Sequence, residues 1–384
     1  MPNTTPPLRV LAWGTYDLSK PRVRILLRSL REVGTEVTEC HADVWGQTID
    51  KSQVKGWMDR LQFLLRWLLA YPRLLWCWFR KPTPDVVVVG YLGQIDVLIL
   101  WPFAKLRRTP IVWDAFLSLY NTVIEDRKMF SPKHPVAWAL YALEWLACRA
   151  ADRVVLDTRA HAHYFVERFK IPVEKTDSVF VGAEDDKFQA LERSRDPQQP
   201  FTVLFYGQFI PLHGIPTIIK AARLLKHEEI RWVLIGKGQE EALVRSMLDE
   251  EPLDQLEWIP WVNYEELINW IGRADVCLGI FDDGEKASRV IPNKVFQVLS
   301  AGKPLITRDS SAIRELLEED EKSVWLVSPD APNDLARAIS NIRNQTLPRT
   351  GLHKHLIEKF SIPAIGNSLA NILNLASAAQ KTHR

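Results

Sequence analysis

The feature that most constrains the fold is the alternation, along the whole chain, of short runs of Val, Ile and Leu with segments of helical periodicity. Several runs are apolar at consecutive positions, as strands are when both faces of their sheet are covered. Strands of this kind separated by helices predict parallel sheets with right-handed crossovers, and therefore the α/β class. In the first half the strand candidates are Arg9 to Trp13, Asp85 to Val89, Pro110 to Trp113, Arg153 to Leu156 and Val179 to Val181. A second set runs Thr202 to Tyr206, Trp232 to Ile235, Glu257 to Ile259, Val276 to Ile280, Leu305 to Thr307 and Val324 to Val327. Helices are predicted between them at Ile215 to Leu225, Glu240 to Leu248, Glu265 to Ile271 and Asn293 to Ser300. QALERSRDPQQP, from Gln189, lacks periodicity and reads as an interdomain linker. The expected organisation is two tandem Rossmann-like, doubly wound domains, residues 1–190 and 200–360, followed by a C-terminal helical segment, 361–384. Such a pair leaves a cleft between its strand ends.

With 384 residues, 47% apolar and 25% charged, the chain suits two globular domains. A formal charge of +2 gives no reason to expect nucleic acid. The basicity is uneven, with net +5 in residues 1–190 and −3 in the remainder. Cys40, Cys77, Cys148 and Cys277 form no CxxC or Cys/His pattern. They read as reduced thiols in core positions of a cytoplasmic protein. The start, MPNTTPPLRV, has no apolar signal-peptide core, so export is not expected.

Residues 51–82 break the alternation. They hold Trp57, Trp67, Trp76 and Trp78 among many leucines, and a net charge of +6. Arg66, Pro72 and Arg73 interrupt the apolar stretch, which makes a poor membrane span. The composition fits an interfacial segment on an anionic membrane surface, peripheral on the inner face of the cell membrane. The alternative is an ordinary core helix with a solvated basic face.

The chemistry points to two glycine-bearing loops that feed helices: TVLFYGQFIPLHGIPTIIKAARLL from Thr202, and SRVIPNKVFQVLSAGKPLI from Ser288. Two such loops at strand ends of one open sheet make a site for a nucleotide diphosphate. Other chemistries are missing their signatures. There is no GxSxG or HExxH, and GIFDDGEK from Gly279 lacks the ending of a P-loop. No Asp-x-Asp occurs, and His161/His163 and His353/His355 are spaced two apart, which suits joint metal ligation poorly. Neither a metal nor a cofactor is expected.

The order of loops in the second half resembles the donor domain of family-4 (group 1) retaining glycosyltransferases of the GT-B fold. Tyr206-Gly207-Gln208 through His213-Gly214 is similar to that family's G-R-x4-K-G loop, and Ile235-Gly236-Lys237-Gly238 to its next strand and turn. Trp261-Val262 with Glu265-Glu266-Leu267, then Ala274-Asp275-Val276, follow in the same order. Pro292-Asn293-Lys294-Val295-Phe296-Gln297 with Ala301-Gly302-Lys303-Pro304 is similar to the P-x-K-x-F-E variant of its E-x7-E segment, and Glu315 falls on the following helix. Upstream, Ala151-Asp152-Arg153 and Val181-Gly182-Ala183-Glu184-Asp185 resemble the end of the acceptor domain.

The departures are informative. The family's diphosphate-gripping Arg and Lys correspond to Gln208 and His213, its two motif glutamates to Arg289 and Gln297, and an acceptor-domain His to Phe116. A neutral Gln cannot replace a guanidinium beside a diphosphate. The cationic role is therefore expected to pass to His213, Arg289 and Lys294, with Arg289 and Lys294 at the mouth of the helix beginning near Asn293. Solvated surface charge is the alternative for these two. Gln297 remains able to hydrogen-bond a ribose. The donor-binding set is Gly207, Gln208, Gly214, Gly236, Gly238, Val262, Pro292, Asn293, Gln297 and Glu315, and the acceptor-side set is Gly14, Thr15, Arg22 and Asp114. For Gly14 a simple tight turn is an equal reading.

The resemblance implies a retaining, metal-independent transfer of a sugar from a nucleotide-diphosphate donor to a saccharide or lipid-linked acceptor, in cell-envelope or exopolysaccharide synthesis. Two alternatives stay open. One is a catalytically inactive GT-B module that binds nucleotide, glycan or a protein partner; the other is a sugar-nucleotide epimerase.

Overall fold

The structure, a computed structural model, describes residues 6–44, 57–190, 199–317, 323–348 and 351–382, with the backbone alone for 57–64. Lys51 and Lys55 of the basic segment, and residues 191–198 of the predicted linker, lie outside the described residues. The chain divides into two compact units, one of Met1–Glu125, Met129–Phe180 and Ile362–Arg384, the other of Asp126–Lys128 and Val181–Ser361.

The first unit is a six-stranded parallel sheet built from β1 (Arg9–Gly14), β2 (Glu36–His41), β3 (Val86–Val89), β4 (Ile111–Asp114), β5 (Arg153–Leu156) and β6 (Thr176–Ser178), in the order β2-β1-β3-β4-β5-β6. Its helices are α1 (Pro21–Glu32), α2 (Trp57–Arg80), α3 (Gln94–Leu106), α4 (Pro135–Ala150), α5 (Arg159–Phe169) and the final α14 (Ile362–Thr382). The continuous apolar strands serve both faces. Leu11, Val87, Val89, Trp113 and Val154 pack under α2 to α5. Their strand neighbours Val10, Val86, Val88, Val112 and Val155 pack against α1 and α14. Burying one such Leu or Val side chain contributes about 1.5–3 kcal/mol, so these strands specify the sheet strongly.

Two expectations need correction. β2, EVTECH, carries no apolar run and was invisible to the pattern, while β6 is the polar Thr176–Ser178 rather than Val179 to Val181. Both are edge strands, paired on one side only, where polar residues are tolerated. The cysteine reading is also corrected. Cys40 of β2 and Cys77 of α2 are joined by a disulfide, because folding brings their Cα atoms to 6.0 Å across a sequence separation of 37. Cys148 and Cys277 are free and buried.

The second unit is another six-stranded parallel sheet, ordered β12-β11-β10-β7-β8-β9. Its strands are β7 (Phe201–Tyr206), β8 (Ile230–Ile235), β9 (Leu256–Ile259), β10 (Val276–Leu278), β11 (Leu305–Arg308) and β12 (Val324–Val327). Its helices are α6 (Ile215–Leu224), α7 (Glu241–Glu250), α8 (Tyr264–Arg273), α9 (Glu285–Arg289), α10 (Asn293–Ser300), α11 (Ile313–Leu316), α12 (Pro332–Arg343) and α13 (Lys354–Lys359). Phe205, Trp232, Leu278 and Ile306 pack with α6 and α12 in its core.

Candidate functional site

In the second unit the strand order reverses between β7 and β10, so the loops leaving these strands diverge and open a crevice at the carboxyl edge of the sheet. Both loops touch. The Phe281 N–H donates to the His213 carbonyl at 3.2 Å, and a Cβ on Gly214 would stand 2.7 Å from the Asp282 nitrogen. Gly214, at φ 64°, turns the chain directly into α6. Gly236, after β8, meets the first loop even more closely, since a Cβ there would fall 1.9 Å from the Gly207 carbonyl oxygen. Gly238 is likewise confined by the Phe209 backbone. Only glycines allow these loops to converge.

Into that convergence α10 delivers Lys294. Its ammonium lies 3.7 Å from the centre of the Phe205 ring and would be 2.9 Å from a Cβ on Gly207. The side chain is buried, and its nitrogen makes no hydrogen bond among the described residues. Burial holds its pKa well below the ordinary lysine value. A buried ammonium over the Phe205 ring, with the Tyr206 ring 5.9 Å away and no hydrogen-bond partner among the described residues, is a cation without its counter-ion.

His213 lies beside it. Its Nδ1 donates to the Gln208 carbonyl, and its pKa is held well below the usual histidine value by burial and then by Lys294, with a smaller effect from Lys286. The Gln208 bond opposes this shift without reversing it. The imidazole is thus neutral in the unliganded protein. A protonated His213 was expected only beside a phosphate; without one, the neighbouring cation and the dry surroundings favour the neutral ring.

The remaining donor-side candidates are distributed unevenly. Gln208 is exposed at the tip of the first loop. Gln297, expected to face a ribose, has its amide engaged: Tyr206 donates to its Oε1 at 3.1 Å, and its Nε2 donates to the Tyr264 hydroxyl at 3.4 Å. Tyr264 in turn donates to Glu184 at 3.1 Å. Pro292 and Asn293 form the start of α10, so both sit beside Lys294. Arg289 ends the short α9 and pairs with Glu285 one turn back at 3.4 Å. The Lys294 ammonium is the charge that stands against Gly207. Val262 is half-buried between β9 and α8, and Glu315 is half-buried on α11.

In the first unit the order reverses between β1 and β3. Gly14, at φ 129°, ends β1 so close to α3 that a Cβ would stand 2.3 Å from Asp96 Oδ2. The buried Asp96 carboxylate accepts from the Thr15 N–H at 2.7 Å, the Thr15 hydroxyl at 3.1 Å and the Tyr71 hydroxyl at 2.8 Å. Arg22 and Asp114, two acceptor-side candidates, are each other's partners in a fully buried pair at 2.6 Å. Arg22 also donates to the Val179 and Leu156 carbonyls, so its guanidinium knits β4 to the strand ends beside it. Phe116, where the family carries His, lies under that guanidinium.

Sequence reasoning missed Phe205, Tyr206, Tyr264, Asp96 and Tyr71. Each acts on a residue distant in sequence; Phe205 and Tyr206 stand in the first glycine loop, but nothing in that motif signals that they face Lys294 and Gln297.

Residues 200–345 match the family described as Glycosyl transferases group 1. Among curated proteins, the amylovoran biosynthesis glycosyltransferase AmsK of Erwinia amylovora is 28% identical over 178 residues, 44% of this chain and 42% of that protein. The putative colanic acid biosynthesis glycosyltransferase WcaL of Escherichia coli is 25% identical over 261 residues, 66% of this chain and 59% of its own length. The chain thus spans about half the length of the curated relatives it matches. Among solved structures, sucrose-phosphate synthase from Thermosynechococcus elongatus superposes with a TM-score of 0.71 at 16% identity, covering 97% of this chain and 100% of that one. Anabaena HepE in complex with UDP gives 0.64 at 14% identity, covering 96% and 99%. The fold is GT-B.

Proposed function

With a group 1 glycosyltransferase domain at residues 200–345 as the premise, we propose that the chain transfers a sugar from a nucleotide-diphosphate donor to a saccharide or lipid-linked acceptor in envelope or exopolysaccharide synthesis. The observation that carries this is the unpartnered, buried Lys294 ammonium at the glycine turns after β7 and β8. A diphosphate seated there would complete its coordination, and the dipole of α10, whose first turn carries Lys294, would add to the field. The UDP complex of HepE, a protein of the same fold, supports a uridine donor as the first to test.

In this reading the bond between the anomeric carbon and the diphosphate oxygen breaks as the acceptor oxygen bonds to the same face of that carbon. The acceptor proton passes to the departing diphosphate, whose growing charge Lys294 stabilises, without a metal. His213 is neutral before the donor arrives and takes a proton as the phosphate charge approaches. The enzyme would act from the cytoplasmic side, attached peripherally to the membrane. No helix among the described residues is long and apolar enough to cross one.

One observation favours an inactive binding module instead: Gln297, in place of a motif glutamate, has its amide engaged by Tyr206 and Tyr264. A thermal-shift screen with UDP-, GDP-, ADP- and dTDP-sugars, followed by a turnover assay with whichever binds, separates the readings. Binding without release of nucleotide diphosphate would establish the module. No stabilisation by any of them would overturn the donor-site assignment.

A further inference from the structure

The helical layer formed by α2, α3 and α4 buries its inner side on one face of the first sheet, through Tyr71, Leu74 and Trp78 of α2, Leu100 of α3 and Ala147 of α4. Its outer side is unusual. On α2, Leu65, Leu68, Leu69, Trp76 and Phe79 are exposed at spacings of three, four and seven, opposite the buried row. Leu69 is 72% exposed, so this is not a core face with gaps. Arg66, Arg73 and Arg80 recur every seven residues and form a basic edge along that stripe.

The neighbouring helices continue the pattern. Trp101 and Leu106 on α3, and Trp138 and Leu146 on α4, are exposed, Trp138 by 72%. α3 is tied to the end of α2 by Arg107, which donates to the Trp78, Phe79 and Lys81 carbonyls. Arg149 supplies exposed charge on α4, and Lys105 of α3 is paired at 2.9 Å with Asp152, just beyond α4. The acidic residues of these two helices, Asp96 and Glu144, are both buried. Among the described side chains of α2 to α4, every exposed charge is therefore positive. Arg80 stacks on Trp76 and Arg149 on Trp145, so the basic heads rest on aromatic rings at the surface.

We propose that the outer face of α2, α3 and α4 together is a docking surface for an anionic phospholipid leaflet, with Trp76, Trp101 and Trp138 at headgroup depth and the arginine row on lipid phosphates. Exposed apolar surface rimmed by basic residues on three adjoining helices has the chemistry of an interfacial contact. A second copy of this chain is a poorer occupant. It would set the arginine row of α2 against that of the other copy, with like charges at close range. This rests on the peripheral attachment proposed above and is independent of the transfer reaction.

The test is co-sedimentation of the full chain with neutral phosphatidylcholine vesicles and with vesicles in which about a third of the lipid is phosphatidylglycerol, at about 0.1 M salt. Binding is expected to the anionic vesicles alone and to fall on raising the salt. The triple variant R66E/R73E/R80E should bind at least roughly a hundredfold more weakly, since each basic residue at the surface is worth about fivefold. The variant W101S/L106S/W138S, which leaves α2 intact, should weaken binding by at least about tenfold. K226E/R245E, in the second unit, should bind as the parent does. UDP-induced thermal stabilisation, measured on each variant, reports the folding of the nucleotide domain and keeps the two proposals separate. Equal binding by the parent and both first-unit variants, or no binding to anionic vesicles, overturns the surface. Retained affinity in the α3/α4 variant alone restricts contact to α2 and refutes the three-helix face. A protein that ignores vesicles but sediments as a dimer, and becomes monomeric when the arginines are reversed, assigns the face to a second copy.

Discussion

Replacing Lys294 with Met tests the donor site most directly, because stability and binding should move in opposite directions. Met keeps most of the volume and the unbranched stem, and removes the charge. The unliganded protein then no longer holds a buried ammonium without a hydrogen-bond partner. Relief of its desolvation outweighs the loss of about 2 kcal/mol of attraction to the Phe205 ring, for a net gain on the order of 1–3 kcal/mol. In a domain of this size each kcal/mol raises Tm by about 2–4 °C. Binding goes the other way. Loss of a charge-assisted contact worth about 1.5–3 kcal/mol weakens a nucleotide diphosphate by roughly 10- to 150-fold. The pH dependence provides a second reading. Because the folded-state pKa lies below the ordinary lysine value, the unfolded chain holds the extra proton between that pKa and about 10.5, and stability rises with pH through that window. This slope should disappear in Lys294→Met. Calorimetry of UDP binding and urea titrations across pH measure both effects. A variant that is destabilised and binds UDP like the parent would refute the argument and make Lys294 a packing residue.

Three further outcomes follow from the same contacts. His213, with its folded-state pKa lowered, contributes stability that is complete above about pH 6.5 and is lost as pH falls toward the folded value; urea midpoints at about pH 7.5 and about pH 5 should differ less in His213→Gln than in the parent, and equal differences would count against a neutral buried imidazole. Asp114→Ala leaves Arg22 charged and unpaired in the first unit, at a loss of about 3–5 kcal/mol, so the defect should be in folding; unchanged stability with lost transfer would return Asp114 to the substrate. Opening Cys40–Cys77 removes a constraint on a loop of 37 residues, worth about 4 kcal/mol by chain entropy; reductant should lower the first unit's urea midpoint, and an unchanged midpoint would count against that constraint.

The sheets were legible where burial wrote a continuous signal into the chain. β3 is four valines, and β7, β8, β10 and β11 follow largely apolar runs, because both faces are covered. The edge strands β2 and β6 were not, since half their surroundings are solvent and Glu36 or Asp177 cost nothing there. At the site, glycine spacing located the turns at Gly207, Gly214, Gly236 and Gly238, and the basic residue of SRVIPNK pointed to α10. Roles were harder to read. Gln297, Arg22 and Asp114 each look free for a ligand in sequence, and in the fold each is held by a partner 33 to 157 residues away. Polar partners of that kind leave no periodic trace.

The same contacts explain why α2 matters beyond its outer face. Tyr71 lies on its inner side, and its hydroxyl donates to Asp96, the carboxylate that also holds the Thr15 N–H and hydroxyl at the end of β1. Burial pushes the Asp96 pKa up and the bonds from Thr15 and Tyr71 oppose that, so loss of any one of those donors adds to the cost of its charge. The disulfide fixes α2 to β2 about one and two-thirds turns further along the helix. Helix and turn therefore move as one body. A surface that binds lipid through Arg66, Arg73 and Trp76 would then set the distance of the Gly14–Thr15 turn from the membrane, which the proposed transfer to a lipid-linked acceptor would require if that acceptor sits at this turn.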